Sequence, residues 1–254
     1  MKALLLDLDD TLLDYSGGVE QCWEAACADA AAGVPPAPLL AALAETRRWF
    51  WSDPERHRRE RVDMPRAWTR IATHALERCG GDAGLGAAIA EAFAARRRAV
   101  MALFPEALEC LATLRARGLP LALVTNGDAR EQRFKIERHD LGRYFDAIVI
   151  EGELGRGKPD AAAYRAALAA LDVAPGPEVW MVGDHLEFDV AGPQRLGLRG
   201  AWLDRPGLGL PQDSTVRPDR IVRSLGDVTS PLSTRTWRTI EQSGAGAYPG
   251  PSRG

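Results

Sequence analysis

Short apolar runs alternate with helical patterns from residue 104 to about residue 228. Four of the runs are unbroken and have the length of a buried strand: residues 119–124, 147–150, 179–182 and 201–203. The segments between them have helical character, and the first predicted helix begins near Pro105 and ends at Gly118. This alternation of strands and helices predicts a parallel sheet with helices on both faces.

A further apolar run stands at the N-terminus, where residues 3–6 predict another buried strand. Its character places it in the same sheet, although residues 14–103 separate it from the other strands. That insert contains four amphipathic helical patterns and no convincing strand, which predicts a small helical bundle. One of these helices would begin at Asp63, a typical N-cap residue.

We therefore predict an α/β fold, in which a Rossmann-like doubly wound parallel sheet forms the core and a helical bundle is inserted into it. The core would comprise residues 1–13 and 104–228, and the bundle residues 14–103. The segments 15–18 and 104–105 would be the hinges between them. Residues 229–254 are rich in Ser, Thr, Gly and Pro, so we expect a poorly ordered tail there.

Composition narrows the classes of function. The chain has 254 residues, 46% of them hydrophobic, and a formal net charge of -3. This charge argues against a general attraction to nucleic acid or to an anionic membrane, and no apolar stretch approaches the length of a membrane span. The four cysteines form no CxxC pair, and Asp7 cuts the first apolar run too short for a signal peptide. We expect reduced thiols in a cytoplasmic protein.

The first strand leads directly into three carboxylates, Asp7, Asp9 and Asp10. Residues two apart in an extended chain share a face, so Asp7 and Asp9 can point into one small volume. Two carboxylates that close repel each other unless a cation lies between them. The pattern predicts a metal site with a carboxylate free to act as a nucleophile. Asp10 faces the opposite side, and we expect it to hold the turn by hydrogen bonds.

Polar residues also follow the other strands, and ligands bind at the carboxyl ends of the strands in open parallel α/β sheets. The residues found there are Thr125, Asn126, Lys158, Asp184 and Asp189. With the first strand they supply a nucleophile, further acids, hydroxyl and amide donors and one cation. This set fits phosphoryl transfer with Mg²⁺ held by hard oxygen ligands.

Four segments resemble, in order, the motifs of the haloacid dehalogenase-like (HAD) hydrolase superfamily. They are DLDDTL at residues 7–12, LVTNG at 123–127, Lys158 within GKPD, and GDHLEFD at 183–189. The resemblance covers residues 1 to about 228, and in it the predicted bundle corresponds to a helical cap inserted after the first motif. It implies a Mg²⁺-dependent phosphatase of a small phosphorylated metabolite, acting as a monomer or homodimer without nucleic-acid or membrane partners.

The resemblance also implies a role for each motif residue. Asp7 would attack phosphorus and form an aspartyl-phosphate, while Asp9 would protonate the leaving alcohol and then activate water. Mg²⁺ would be held by the Asp7 carboxylate, the Asp9 carbonyl and Asp184. Asp189 would orient Lys158 or a metal-bound water. The phosphoryl group would be bound by the Thr125 hydroxyl, the backbone amides of Leu8 and Asn126, and Lys158.

Specificity would reside in the cap, where no motif is recognisable. The run of basic residues at 56–61 is typical of a solvated face, and the sharper hypothesis is that it contacts the substrate together with Arg47 and Arg48. Trp49 and Trp51 flank the run and are expected in the core of the bundle. In the last motif, Phe188 stands where many relatives carry Asn. His185 lacks a partner histidine and is expected beside the site or at the surface.

Three other functions remain open on the same residues. A 2-haloacid dehalogenase has no alcohol to protonate, and in that family the second acid at the position of Asp9 is absent. A phosphomutase of the β-phosphoglucomutase type usually has DxDGV where this chain has DLDDTL. A binding or regulatory protein on the same scaffold would not need the complete set of acids and Lys158.

Overall fold

The computed structural model describes residues 1–31 and 33–229, and its centre is a parallel sheet. The strands are β1 (Ala3–Leu6), β2 (Leu121–Thr125), β3 (Ala147–Ile150), β4 (Val179–Gly183), β5 (Arg199–Leu203) and β6 (Arg220–Val222). They lie in the order β3-β2-β1-β4-β5-β6, and each neighbouring pair is parallel. This is the strand order of a Rossmann-like doubly wound sheet, as predicted.

Helices cover the sheet and fill the insert after β1. Five occupy the insert: α1 (Val19–Ala30), α2 (Pro36–Ser52), α3 (Pro54–Glu60), α4 (Met64–Cys79) and α5 (Gly86–Val100). The others follow in the sheet region: α6 (Ala107–Ala116), α7 (Ala129–Arg138), α8 (Glu151–Leu154), α9 (Ala161–Ala170), α10 (Gly192–Gln194) and α11 (Gly226–Thr229). Short 3₁₀ segments at Ala83–Leu85 and Leu141–Tyr144 and a π-helical turn at Leu186–Ala191 complete the described chain.

The two faces of the sheet bury separate apolar clusters. Leu4 and Leu6 of β1 face one cluster, which includes Leu111 of α6. Leu5 faces the other, which includes Tyr164 of α9. All four residues of β1 are buried, because the strand lies between β2 and β4 and has helices on both sides. A strand that is buried on both faces requires apolar side chains at every position, which explains the unbroken apolar run at residues 3–6.

The helices α1 to α5 pack around an apolar cluster of their own, in which the rings of Trp23 and Phe93 stack at 3.7 Å. We predicted four helices here, and the structure has five. The additional helix is α3, whose sequence PERHRRE has no apolar stripe to reveal it, although Asp53 caps it by accepting from Arg56 N at 2.6 Å. The prediction that Trp49 lies in the bundle core is wrong, since it is 51% exposed.

Four further points concern the last strand, the C-terminal tail, membrane-spanning helices and the cysteines. The three-residue strand β6 is not among the predicted strands, because so short a segment has no detectable alternation. The tail predicted for residues 229–254 lies outside the described residues, apart from Thr229, which ends α11. Within the described ranges the structure has no helix of the length and apolar character required to cross a bilayer. The four cysteines form no disulfide in the described residues.

Candidate active site

The carboxylates predicted after β1 lie at the carboxyl edge of the sheet. Asp7 is 7% exposed, and each of its oxygens has its own donor. Lys158 Nζ donates to Asp7 Oδ1 at 2.7 Å, and the Thr11 hydroxyl donates to Asp7 Oδ2 at 3.1 Å. The carboxylate is therefore held in one orientation. Asp10 accepts from the N–H and the hydroxyl of Ser16 at 2.7 and 2.5 Å, which confirms its predicted role in the turn. The prediction that Asp10 faces the opposite side is wrong, because it lines the same cavity as Asp7 and Asp9.

Lys158 is a buried cation between two of the predicted acids. Its Nζ also donates to Asp189 Oδ1 at 2.7 Å, so it bridges the carboxylates of Asp7 and Asp189. Burial alone would lower the pKa of Lys158, but Asp189 and Asp7 together raise it above its ordinary value. The Asn126 side chain holds the Lys158 backbone, since Lys158 N donates to Asn126 Oδ1 at 2.7 Å and Asn126 Nδ2 donates to the Lys158 carbonyl at 2.8 Å.

Asp7, Asp184 and Asp189 bring carboxylate oxygens within 4.8 Å of one another. Burial raises the pKa of Asp7 to about 7, although Lys158 opposes the shift. Burial and the neighbouring charge of Asp7 raise the pKa of Asp184 to about 8. A Cβ at Gly183 would lie 2.2 Å from Asp189 Oδ2, so glycine is required there for the approach of Asp189. Three hard oxygen donors that repel one another are a chemically suitable site for a divalent cation.

Asp9 faces the first turns of α7, where the sequence predicted no functional residue. Lys135 Nζ donates to both oxygens of Asp9 at 2.9 Å, and Gln132 Nε2 donates to Asp9 Oδ2 at 3.0 Å. The same Gln132 nitrogen donates to Thr125 Oγ1 at 2.6 Å, so one side chain links two predicted site residues. One sequence signal could have revealed these residues. Gln132 and Lys135 are long polar residues about one turn apart, beside the buried Ile136, in the helix that follows β2.

A cavity of about 390 Å³ opens above these groups, between the sheet edge and the bundle. All the predicted site residues except Leu8 line it. Leu8 lies between Asp7 and Asp9 in the chain, with its side chain fully buried. The opposite wall comes mainly from the insert and its linkers, and consists of Tyr15, Trp51, His57, Arg61, Met64, Trp68, Arg97 and Met101. We call the charged surface formed by the predicted site residues the floor of the cavity. We call the opposite wall of eight residues, which is largely aromatic and thioether, the roof.

The basic run at residues 56–61 is divided between the cavity and the surface, and substrate contact by this run stays a prediction. His57 and Arg61 line the cavity, whereas Arg58 and Arg59 are exposed on the surface. Burial, with the charge of Arg61, lowers the pKa of His57 to about 4, so this imidazole is neutral at physiological pH.

The structure contradicts the expectations for Arg47, Arg48 and Trp51 of α2. Arg47 donates to Glu20 Oε1 at 2.7 Å, and Arg48 is exposed, so neither residue reaches the cavity. Trp51 is half-buried between the bundle and the cavity rather than within the bundle core.

His185 stacks on Phe188 with ring centroids 3.8 Å apart, and its Nδ1 accepts from Glu187 N at 3.2 Å. It therefore caps the π-helical turn at the rim of the cavity.

The profile of the haloacid dehalogenase-like hydrolase family matches residues 1–197 of the chain. The chain belongs to this family. The HAD-like hydrolase is 38% identical over 250 residues to the phosphoserine phosphatase of Thermus thermophilus, in an alignment that covers 90% of this chain and 98% of the relative. It is also 30% identical over 205 residues to the glyceraldehyde 3-phosphate phosphatase of Methanopyrus kandleri, covering 78% and 82% of the two chains.

Solved structures of the family are similar over nearly the whole chain. A 2-haloacid dehalogenase from Pseudomonas syringae has a TM-score of 0.66 and 29% identity, with 94% of this chain and 100% of that chain covered. The YfnB HAD-hydrolase of Bacillus subtilis has a TM-score of 0.71 at 20% identity, with 89% and 96% covered, and supports the fold alone. The family and the curated relatives together make this HAD-like hydrolase a phosphoric monoester hydrolase.

Proposed function

We propose that the HAD-like hydrolase is a Mg²⁺-dependent phosphatase of a small phosphorylated metabolite, and that it works through an aspartyl-phosphate on Asp7. The observation that carries the proposal is the Asp7–Lys158–Asp189 bridge, with both contacts to Lys158 Nζ at 2.7 Å, at the floor of the cavity. The bridge supplies a nucleophilic carboxylate, a cation beside it and a second carboxylate that fixes the cation, and phosphoryl transfer uses such parts.

In the first half-reaction, an Asp7 oxygen would form a bond to phosphorus while the bond from phosphorus to the substrate oxygen breaks. The leaving oxygen would take a proton from Asp9, which would enter this step protonated and leave it as a carboxylate. Lys135 and Gln132 hold the Asp9 carboxylate at the wall of the cavity, and its side chain is 25% exposed, so it can reach a bound alcohol. Such positioning is the first requirement of a general acid.

In the second half-reaction, Asp9 would accept a proton from water as the water oxygen attacks phosphorus. The bond from phosphorus to Asp7 would break, which releases inorganic phosphate and restores the free carboxylate. Splitting the displacement into two steps replaces one high barrier by two lower ones. The Thr125 hydroxyl, the Leu8 and Asn126 backbone amides and the Lys158 ammonium would bind the phosphoryl oxygens in both steps.

The acids present fit a magnesium ion. Asp7 and Asp184 would be carboxylate ligands, and the Asp9 carbonyl would be a third ligand. Burial raises the pKa values of Asp7 and Asp184, and mutual repulsion adds to the shift, so a divalent cation between them would stabilise their ionised forms. When bound, the ion would neutralise the charge on the phosphoryl group during its transfer. Asp189 would act on Lys158, to which it is already paired.

The substrate would bind with its phosphoryl group on the charged floor and its alcohol portion against the roof. We propose that residues 14–103 form a cap domain over a core of residues 1–13 and 104–228, so that the cap residues determine specificity. The T. thermophilus relative is named for phosphoserine, and a small phosphorylated metabolite of that size fits a cavity of about 390 Å³. We further propose a cytoplasmic enzyme that is a monomer or homodimer.

A 2-haloacid dehalogenase is the second candidate, because the 2-haloacid dehalogenase from P. syringae is 29% identical to this chain. Asp9 favours the phosphatase. A dehalogenase releases halide, which needs no proton, whereas an alkoxide leaving group needs the acid that Asp9 would supply.

The test is release of inorganic phosphate from a panel of phosphorylated sugars, nucleotides and small acids, with and without Mg²⁺. A parallel assay measures halide release from 2-haloacids. We expect Mg²⁺-dependent phosphate release and no halide release. Phosphate release that persists in chelator would overturn the metal assignment, and halide release without phosphate release would favour the dehalogenase.

A further inference from the structure

We propose that Arg61 and Glu151 form a positioning pair, which fixes Lys158 and the turn after β2 from the bundle side of the cavity. The proposal rests on the proposed function, since it concerns the placement of residues that would bind the phosphoryl group. Neither residue belongs to the predicted motifs, and they lie 90 positions apart in the chain. Arg61 follows α3 in the insert, and Glu151 begins α8 directly after β3.

The pair is bidentate and buried. Arg61 Nε donates to Glu151 Oε2 and Arg61 Nη2 donates to Glu151 Oε1, each at 2.7 Å. The two side chains are only 9% and 5% exposed. A planar guanidinium that meets a carboxylate in this way fixes the relative orientation of both groups, which a lysine could not do. Removing one partner would leave the other charge buried without compensation.

Each member of the pair also contacts the backbone of the site. Arg61 Nη2 donates to the Lys158 carbonyl at 3.2 Å, and Gly127 N donates to Glu151 Oε2 at 3.0 Å. The Lys158 carbonyl and N–H are in turn held by the Asn126 side chain. One ion pair therefore joins the insert to the two segments that carry Thr125, Asn126 and Lys158.

The space around the pair is closely filled, so a shift of Glu151 would be transmitted. A Cβ at Gly157 would lie 2.3 Å from Glu151 Cδ and 2.6 Å from Asn126 Oδ1. Glycine at this position lets the backbone before Lys158 pass directly between the two side chains. Without Arg61, the Glu151 carboxylate could turn towards another donor. The Lys158 carbonyl would then lose its contact with Arg61, and Gly127 N would lose its contact with Glu151.

A second ion pair in the same enzyme provides a matched control. Arg133 Nε and Nη2 donate to the two oxygens of Glu153 at 2.6 and 2.7 Å, which is the same bidentate geometry. These side chains are 40% and 38% exposed, and neither residue lines the cavity. An effect of losing an ion pair in general would appear in both pairs, whereas a positioning effect would appear only in the Arg61–Glu151 pair.

The experiment compares Arg61→Ala, Arg61→Lys, Glu151→Gln, the Arg61→Ala/Glu151→Gln double variant and the control Arg133→Ala. Steady-state kinetics with 4-nitrophenyl phosphate and Mg²⁺ give kcat and KM, and calorimetry gives the affinity for inorganic phosphate. We expect kcat of Arg61→Ala to fall about 100-fold and KM to rise no more than about tenfold, because a misplaced Lys158 affects the chemical step most. We expect the phosphate affinity to fall about tenfold, since one charged contact is displaced.

Two further measurements distinguish a positioning role of the pair from a contribution to the stability of the fold alone. Millimolar guanidinium should restore part of the activity of Arg61→Ala, by filling the site of the lost group, and should leave Arg133→Ala unchanged. The double variant should be no less active than Arg61→Ala, because residues that act as a unit are not additive. Arg61→Lys keeps a buried cation but loses the bidentate geometry. If Arg61→Ala does not fold, the kinetic constants and phosphate affinity of Arg61→Lys are compared with those of Arg133→Ala instead.

Wild-type kcat and wild-type phosphate affinity in variants that retain the fold would overturn the positioning role, as would additive losses in the double variant or an equal loss in Arg133→Ala. A wild-type enzyme that neither hydrolyses the aryl phosphate nor binds phosphate would overturn the proposed function itself, and the positioning proposal with it.

Discussion

The two walls of the cavity have different chemistry. The floor, at the carboxyl ends of β1, β2 and β4, is charged, and its carboxylates and lysine contact one another directly. The roof, contributed mainly by the insert, is mostly aromatic and thioether, with a neutral His57 and with Arg61 paired to Glu151. We propose that the two walls have separate roles, in which the floor would carry out phosphoryl transfer and the roof would select the substrate. The roof also contacts the floor through the Arg61–Glu151 pair.

Replacing Asp7 should have the largest effect, because it tests whether the floor alone carries the reaction. Asp7→Asn keeps the side-chain shape but removes the nucleophile, so kcat should fall at least about a thousandfold. Without metal, the melting temperature should be unchanged or higher, because a buried carboxylate with a pKa raised to about 7 is removed. Asp172→Asn, at an exposed position with a positive φ of 53°, is the matched control. Retention of a tenth of the wild-type activity would exclude the covalent mechanism.

The floor could be predicted in detail from the sequence for a physical reason. Parallel topology places the ends of the apolar runs at one edge, so Asp7, Thr125 and Asp184 meet wherever the intervening chain goes. The contacts of Lys158 with Asp7 and Asp189 do not follow from strand ends, because Lys158 comes after β3 and α8, and only the family resemblance predicted them. The order and type of the elements were accessible in the same way, because strands buried on both faces have unbroken apolar sequences.

The roof could not be predicted in this way, because nothing in the sequence determines which face of the bundle meets the sheet. Arg61 and Arg58 look alike in the sequence, yet one is buried in an ion pair and the other is exposed. Arg47 and Arg48 were expected near the substrate and lie away from it. Lys135 and Gln132, which contact Asp9, were missed because they lie inside helix α7 rather than at the end of an apolar run or in a recognisable motif. Tertiary orientation, rather than local pattern, decides each of these cases.

Asp189→Asn should have the next largest effect, since it weakens the support of the floor without touching the nucleophile. An asparagine can still accept from His185 N at the position of Asp189 Oδ2, but Lys158 loses one of its two carboxylates. We expect kcat to fall about 100-fold with the fold retained, because a charge-assisted contact that orients Lys158 is weakened. Activity within twofold of wild type would show that Asp7 alone holds Lys158.

The metal-free enzyme should become less stable as pH rises from 6.5 to 8.5. The pKa values of Asp7 and Asp184 are raised from 3.8 to about 7 and about 8, so the folded state keeps protons that the unfolded state has already lost. Stability that is present at low pH is then lost as pH rises through the folded pKa values, by an amount on the order of 2 kcal/mol. His57, with its pKa lowered to about 4, changes stability only below this range.

Urea unfolding in chelator at several pH values measures this loss, and Asp184→Asn should flatten the profile. Mg²⁺ should raise the stability most at the alkaline end, because it binds the ionised carboxylates. A stability that rises with pH in chelator would contradict the electrostatic account of the floor.

Substitutions in the roof should have the smallest effects on the chemistry. His57→Ala and Trp51→Ala should raise KM for the best substrate about three- to tenfold, with a smaller change for 4-nitrophenyl phosphate, because these residues would contact only the leaving group. Arg48→Ala, which is exposed and away from the cavity, should change neither constant. Equal losses on both substrates would show that the roof contributes to the transfer itself.

The most direct test of the account is to trap the intermediate on the floor. The enzyme is mixed with Mg²⁺ and its best phosphorylated substrate, quenched in acid within a turnover, digested, and analysed by mass spectrometry. We predict one phosphoryl group on the peptide that contains Asp7, which is removed by hydroxylamine and absent from Asp7→Asn. Phosphate release without any labelled Asp7, or a phosphoryl group on a different residue, would contradict the assignment of Asp7 as the nucleophile.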